Sequence, residues 1–221
     1  MVTINTIGRT VANRKFSVLL LFAAAVLFSP STFGQMKIKL GVTAGINMAG
    51  IFNEDKLSDL NTGFRGGAVV DFGFGKFFSV VPEVLFSQRG WKMVGKDELE
   101  GITQTATVNT VEVPVDLVLK IPVAAETKVT LFPGFYAGYA LSGKAKVSEK
   151  GGSTQTIKVP IGKGVDDMNP LDMGINLGLG LEIKSVFFKV QVHTGLKNLS
   201  NDKTVTNTTG AFSLSLGYFI K

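Results

Sequence analysis

The sequence predicts an all-β protein, an eight-stranded antiparallel up-and-down transmembrane β-barrel with short periplasmic turns and longer extracellular loops. Three observations carry this expectation. Apolar and polar residues alternate with a period of two in eight successive segments. The connections between those segments are short and long by turns. The chain is also apolar, 45% hydrophobic with a mean hydropathy of +0.28, yet past its first residues it has no run of about 20 apolar residues that could span a bilayer as a helix. A chain of that kind satisfies its backbone polar groups in lipid only by closing a sheet on itself.

Residues 1–34 read as a cleaved signal peptide and 35–221 as the barrel domain. Arg9, Arg14 and Lys15 precede an apolar run at 16–28, roughly 20 Å long as a helix and too short for the roughly 30 Å hydrocarbon core. Ser31-Thr32-Phe33-Gly34 supplies small residues at a cleavage site, which makes Gln35 the new N-terminus. The three leader cations carry half of the formal net charge of +6. No basic stripe remains for nucleic acid. The 221 residues include no cysteine, which excludes disulfides and thiolate metal sites.

The elements follow in order. In 37–50, Ile38, Leu40, Val42, Ala44, Ile46 and Met48 alternate with Lys37, Lys39, Gly41, Thr43, Gly45 and Asn47. Segments near 64–74, 77–90, 108–120 and 128–142 keep the same rhythm less cleanly. In 172–183, Met173, Ile175, Leu177, Leu179, Leu181 and Ile183 oppose Asp172, Gly174, Asn176, Gly178, Gly180 and Glu182. In 186–197, Val186, Phe188, Val190, Val192 and Leu196 oppose Phe187, Lys189, Gln191, His193, Gly195 and Lys197. The last segment sets Phe212, Leu214, Leu216, Tyr218 and Ile220 against Ala211, Ser213, Ser215 and Gly217. Short links at Gly75-Lys76, 122–126 and Lys184-Ser185 alternate with long polar ones near 51–62, 91–107, 143–171 and 198–209. The longest, 143–171, is rich in Gly, Lys, Ser and Thr and is expected to be mobile.

The ionic residues choose the face. With the apolar rows turned to lipid, the inward rows carry Arg65, Asp71, Glu83, Arg89, Glu112, Asp116, Lys120, Asp172, Glu182 and Lys189, with Lys37, Lys39 and Lys197 nearer the rims. Charges withdrawn from water need partners, and eight strands leave an interior that side chains can fill. The expectation is therefore a lumen plugged by an ion-pair network, with no open channel. A soluble lipocalin-like carrier is the alternative, with the apolar rows inside. It leaves unexplained the bulky pairs at both rims, Phe74 with Phe78 and Phe64 with Phe86. Pro82, Pro114 and Pro133 fall inside proposed strands, and each requires a bulge or a locally broken ladder.

Candidates for chemistry are few. His193 is the sole histidine and shares the inward row with Lys189 and Gln191, which reads as a hydrogen-bonded lumen residue. Barrel enzymes that trim lipid A use a His-Ser-Glu set, and Glu182 is the carboxylate on the neighbouring strand, so this is the enzymatic alternative. Glu83, Glu112 and Asp116 could gather as glycosidase carboxylates do, but Arg65 and Arg89 offer charge compensation instead. Asn53-Glu54-Asp55 and Asp166-Asp167 are isolated loop acids, read as solvated. Gly73-x-Gly75 and Gly178-x-Gly180 lack the third glycine and following helix of a nucleotide fingerprint. No catalytic residue, cofactor or metal site is expected.

With the strands laid out, a family resemblance appears. Leu40-Gly41-Val42-Thr43-Ala44-Gly45-Ile46-Asn47 resembles the opening strand of the PorT-like outer-membrane β-barrel family common in Bacteroidetes. Val81-Pro82-Glu83-Val84-Leu85-Phe86-Ser87-Gln88-Arg89-Gly90 is similar to its third strand and Val111-Glu112-Val113-Pro114-Val115 to its fourth. Asp172-Met173-Gly174 through Gly178-Leu179-Gly180 resembles its sixth. The resemblance implies a small, porin-like cell-envelope barrel in the outer membrane with extracellular loops, and it implies no one activity; the residues themselves favour a structural or binding role through those loops, without enzyme activity. Outer-membrane lipid and the barrel-insertion machinery are its implied partners, Tyr218 and Phe219 being the C-terminal aromatics for the latter. Some relatives take part in protein secretion, which adds an envelope secretion-system accessory as a second reading.

Overall fold

The computed structural model describes residues 36–53, 56–95, 101–149, 152, 154–165, 167–202, 204 and 206–220. The expected leader (1–34), Gln35, Glu54, Asp55 and Asp166 lie outside them. The described residues form ten strands: β1 (Lys37–Asn53), β2 (Lys56–Leu57), β3 (Asp59–Phe74), β4 (Phe78–Val94), β5 (Ile102–Ala124), β6 (Thr127–Glu149), β7 (Thr154–Lys158), β8 (Leu171–Ile183), β9 (Val186–Gly195) and β10 (Asn207–Ile220).

Eight of these are staves of a closed antiparallel barrel. Each long strand pairs with its neighbours in chain order, and β10 returns to β1 in continuous register from Leu40↔Ile220 to Asn53↔Asn207. Closure leaves no free edge among the staves. The two short strands are additions at one end, β2 folding back on β1 and β7 on β6.

The pleat sorts the two faces as the alternation predicts. Leu177 and Leu179 are 57% and 59% exposed on the outer wall, whereas Glu83 and Asp116 are 2% and 1% exposed inside. That reverses the arrangement of a soluble carrier and removes the lipocalin-like alternative. Along β4 the apolar outer row runs from Phe78 to Phe86. Eight steps of about 3.4 Å, tilted about 40°, span roughly 21 Å, near the apolar band of outer-membrane barrels. At the upper end of that row the Phe64 and Phe86 rings meet at 5.6 Å. At the lower end Phe74 pairs with Phe78 across the turn.

The three prolines resolve to broken ladders without a register shift. The β3–β4 pairing skips 81–82, the β4–β5 pairing skips 113–114, and the β5–β6 pairing skips 132–133. Each proline keeps normal register with the strand that follows: Pro82↔Val115, Pro114↔Tyr136 and Pro133↔Leu177. The missing donor thus costs one side of one strand at each site.

The strand ends depart from the sequence reading. The turns at 75–77 and Lys184-Ser185 are tight, and Gly75 (φ +72°) and Lys184 (φ +55°) take the left-handed backbone they require. The expected link 122–126 shrinks to Ala125-Glu126, because β5 runs on to Ala124. At the opposite end strand takes up much of the expected loops 51–62 and 91–107 and part of 143–171, and reaches 198–209 only from Asn207 on. In 143–171, residues 144–148 pair with 154–158 as a hairpin, and the N–H groups of Val159, Gly162, Asp167, Met168 and Asn169 donate to further backbone carbonyls. The asymmetry between the two ends persists as hairpins that project beyond the lipid belt.

Candidate functional site

The interior is built in layers, and parity alone decides which residues enter it. At the end bearing the tight turns, Glu182 takes Lys39 Nζ at 2.6 Å, Lys128 Nζ at 3.2 Å and Lys120 Nζ at 3.5 Å, and Lys120 also pairs with Asp71. Above this layer Val69, Val81, Val118, Phe132, Phe187 and Phe219 form an apolar plug inside the barrel. Glycines make its aromatics fit: a Cβ at Gly178 or Gly180 would stand 2.7 or 2.8 Å from the Phe132 ring, and one at Gly217 would collide with Phe187. In the middle, Lys189 pairs with Glu83 and stands 3.9 Å from Asp116, which also accepts from Gln191 Nε2 at 2.9 Å.

The upper layer is an arginine network. Glu112 bridges Arg65 (Nη2 to Oε1, 3.5 Å) and Arg89 (Nη2 to Oε2, 2.6 Å), and Arg89 Nη1 reaches Asp172 Oδ2 at 3.2 Å. Tyr136 joins it through its hydroxyl, 3.1 Å from Asp172 and 3.0 Å from Thr209, with Arg89 stacked 4.6 Å from its ring centre. His193 Nε2 is 3.1 Å from Arg65 Nη1 and 3.0 Å from Ser213 Oγ. A guanidinium can only donate, so Nε2 is the acceptor and the proton of a neutral ring belongs on Nδ1.

All ten network residues expected from the sequence (Arg65, Asp71, Glu83, Arg89, Glu112, Asp116, Lys120, Glu182, Lys189 and His193) lie on the inner wall. Their partners match the expected compensation by Arg65 and Arg89 at Glu112 but not at Glu83 and Asp116. Arg65 and Arg89 neutralise only Glu112 and Asp172, while Glu83 and Asp116 turn to Lys189. Glu182 is in the lowest layer and does not approach His193; its carboxylate is taken up by lysines. Of the rim lysines, Lys39 enters the network, whereas Lys37 is exposed and Lys197 only half-buried, neither in an ion pair among the described residues. Sequence reading missed Lys128, Tyr136 and the six-residue apolar plug. The signal for Tyr136 was there: a hydroxylated aromatic on the inward parity, with glycine two residues to either side at Gly134 and Gly138.

The two segments expected as loops close the upper mouth. Asn201 Nδ2 stands 2.9–3.0 Å from the carbonyls of Gly162, Gly164 and Asp167, tying one segment to the other. Asn169 N–H donates to Leu199 at 2.8 Å, and Leu199 N–H to Asn207 at 2.7 Å, with Leu199 buried beneath. Asp167 caps Gly164 N–H at 2.9 Å. The backbone N–H and hydroxyl of Thr204 hold the Asp202 carboxyl below its usual range. Under this cap a cavity of about 40 Å³ lies between Trp91, Met168, Leu199 and Arg89, and another of about 30 Å³ lies within the apolar plug. Each holds a few waters at most. On the outer side of the cap is a cleft of about 400 Å³, walled by Trp91, Val159, Pro160, Val165, Met168 and Leu199, with Asp167 and Asp202 at its edge.

Comparison with solved structures finds outer-membrane barrels of low identity to this chain. The chain is 17% identical to Ail, the attachment invasion locus protein of Yersinia pestis, over 84% of this chain and 100% of that one, with a TM-score of 0.47. It is 12% identical to Neisserial surface protein A over 82% and 97%, with a TM-score of 0.46. The N-terminal β-barrel domain of Pseudomonas aeruginosa OprF is 9% identical over 80% and 97%, with a TM-score of 0.30. No curated protein matches the chain. The outer membrane protein beta-barrel domain family matches residues 32–201. With a closed ring of eight strands, an apolar outer wall and an ionic interior already in place, the chain belongs to that family and is a small β-barrel protein of the outer membrane.

Proposed function

We propose that this barrel is a closed, non-enzymatic scaffold that acts at the cell surface through its capped upper end, and that it conducts no steady ion current. The carrying observation is the filled cross-section among the described residues: three ionic layers and an apolar plug, with cavities of about 30 and 40 Å³ between them. The cleft of about 400 Å³ above the cap is of ligand size, and its apolar wall with two carboxylates suits a small apolar or cationic group. Reconstituted in planar bilayers, the protein is expected to give no sustained openings. Steady nanosiemens-scale conductance contradicts the plug.

His193 supports a positioning role in the plug, since both of its Nε2 neighbours are lumen groups and Arg65 occupies its lone pair. Residues 1–34 act, in this reading, as a leader removed on export. The intact mass of protein from outer membranes is expected to begin at Gln35, and a mass that includes Met1 refutes removal. A secretion-accessory role, specific to PorT-like relatives, draws on the sequence resemblance alone; stable co-purification with secretion-system proteins is its test.

A further inference from the structure

The outer wall changes chemistry in ordered rows where β4, β5, β6 and β7 leave the lipid belt. Phe86, Val111 and Tyr139 form the last apolar row, matched in register across three strands. Leu141, the extra residue of a bulge between the Thr110↔Ala140 and Asn109↔Ser142 pairs, is 56% exposed beside it. The next row is polar and hydrogen-bonded on the outside: Gln88 Nε2 donates to Asn109 Oδ1 at 3.1 Å, and Asn109 Nδ2 to Ser142 Oγ at 3.0 Å. The row after that sets Lys144 directly opposite Lys158, and the one beyond aligns Asp59, Lys92, Thr105, Lys146 and Thr156, the lysine of β4 facing the one carboxylate in it.

These lysines face outward. Gly143 and Ala145, their neighbours on β6, are buried on the inner side, while Lys144, Lys146 and Lys158 are exposed. Among the described residues none of Lys92, Lys144, Lys146 and Lys158 is in an ion pair, although six acids inside the barrel are paired. Like charges directly opposite across a strand pair, with Cβ atoms about 5 Å apart, are destabilising unless an anion sits between them. Lys144 lies two residues above Ser142, about 7 Å along the strand and roughly 5 Å along the membrane normal at a tilt near 40°. That height is the headgroup layer, where lysine stems lie against apolar surface and their ammonium groups reach phosphate.

From this we infer a lipid-binding site on the outer wall: Lys144 and Lys158, flanked by Lys146 and Lys92, hold the phosphate groups of an outer-leaflet glycolipid whose acyl chains lie against Leu141, Tyr139 and Phe86. The site is separate from the plug and the cap cleft. It rests on the outer-membrane placement of the wall, and heat-modifiable gel mobility reads that placement independently.

The test uses the full mature chain folded in detergent and titrated with bis-phosphorylated lipid A or with the same lipid stripped of phosphate, bound lipid being counted by native mass spectrometry. Wild-type protein is expected to bind the phosphorylated form at least about tenfold more tightly. A Lys144→Gln/Lys158→Gln variant loses that preference while still shifting on boiling, and the charge-matched Lys76→Gln/Lys184→Gln variant at the opposite end keeps it. Equal wild-type affinity for the two lipids overturns the site, as does equal loss in both variants. Should the first variant fail to fold, the wild-type protein still decides: a preference that survives 0.05 to 0.5 M salt, a range in which screening of exposed charge rises about threefold, overturns it.

Discussion

Replacing Glu112 by glutamine lowers the stability of the folded barrel by about 3–5 kcal/mol, the usual cost of removing one member of a buried ionic group. Glu112 is fully buried and is the one carboxylate that Arg65 and Arg89 share. Without its charge Arg89 keeps Asp172, but Arg65 is left with only His193 and Ser213, both neutral partners. Two guanidiniums then repel across a low-dielectric interior with one carboxylate between them. Urea unfolding of the mature protein in lipid vesicles measures the loss. Lys184→Gln is the control, because the Lys184–Glu126 pair, at 3.1 Å, is 68% and 61% exposed and such pairs contribute about 0–1 kcal/mol. A Glu112→Gln barrel within 1 kcal/mol of wild type would mean that the upper layer is wet and the plug incomplete.

The same layer shows how far a sequence with period-two alternation can be read. Inward and outward residues were legible because the outward ones share one environment. Leu177, Leu179 and Leu181 alternate with Gly178, Gly180 and Glu182, and lipid imposes that uniformity on every stave. Partner choice was not legible. Lys189 meets Glu83 across 106 residues, and which inward residues share a layer depends on the stagger between strands, which parity does not carry. Each carboxylate therefore had a known face but an unknown height. By strand number the nearest cation to Glu83 is Arg89 on β4 and to Asp116 is Lys120 on β5, while the nearest by height to both is Lys189.

The upper hairpins were hidden for another reason. In β7 the residues Thr154, Gln155, Thr156, Ile157 and Lys158 are exposed on both faces, so no alternation marks them as a strand. Their Gly-, Lys- and Thr-rich surroundings resemble a solvated loop by composition. Backbone pairing with 144–148 orders them all the same. The apolar plug was concealed by the opposite effect. Val69, Val81 and Val118 occupy the inward parity next to Asp71, Glu83 and Asp116, and a valine there looks like an interruption of the polar row until the stagger places all three with Phe132, Phe187 and Phe219. Lys128, beside the tight turn, joined the network for a similar reason: its stem lets a residue at the strand end reach Glu182.

Placing arginine at Leu177 tests the orientation on which every other inference depends. Leu177 is on the outer wall, aligned with Pro133 on one neighbour and Val192 on the other, about midway along β8 (Leu171–Ile183). At the midplane of a bilayer an outward arginine costs about 2–4 kcal/mol, falling to about 0–1 near the interface. Leu177→Arg is therefore expected to lower the vesicle unfolding free energy by about 2–4 kcal/mol. Met173→Arg, two repeats of the pleat nearer the upper rim and also outward at 47% exposure, is expected to cost less than half as much. On a wet outer wall both changes would stay within about 0.5 kcal/mol, as exposed substitutions do. The depth dependence separates the cases: only a hydrocarbon solvent makes the same substitution costly at one height and mild four residues away, on a strand whose inner face is unchanged by either.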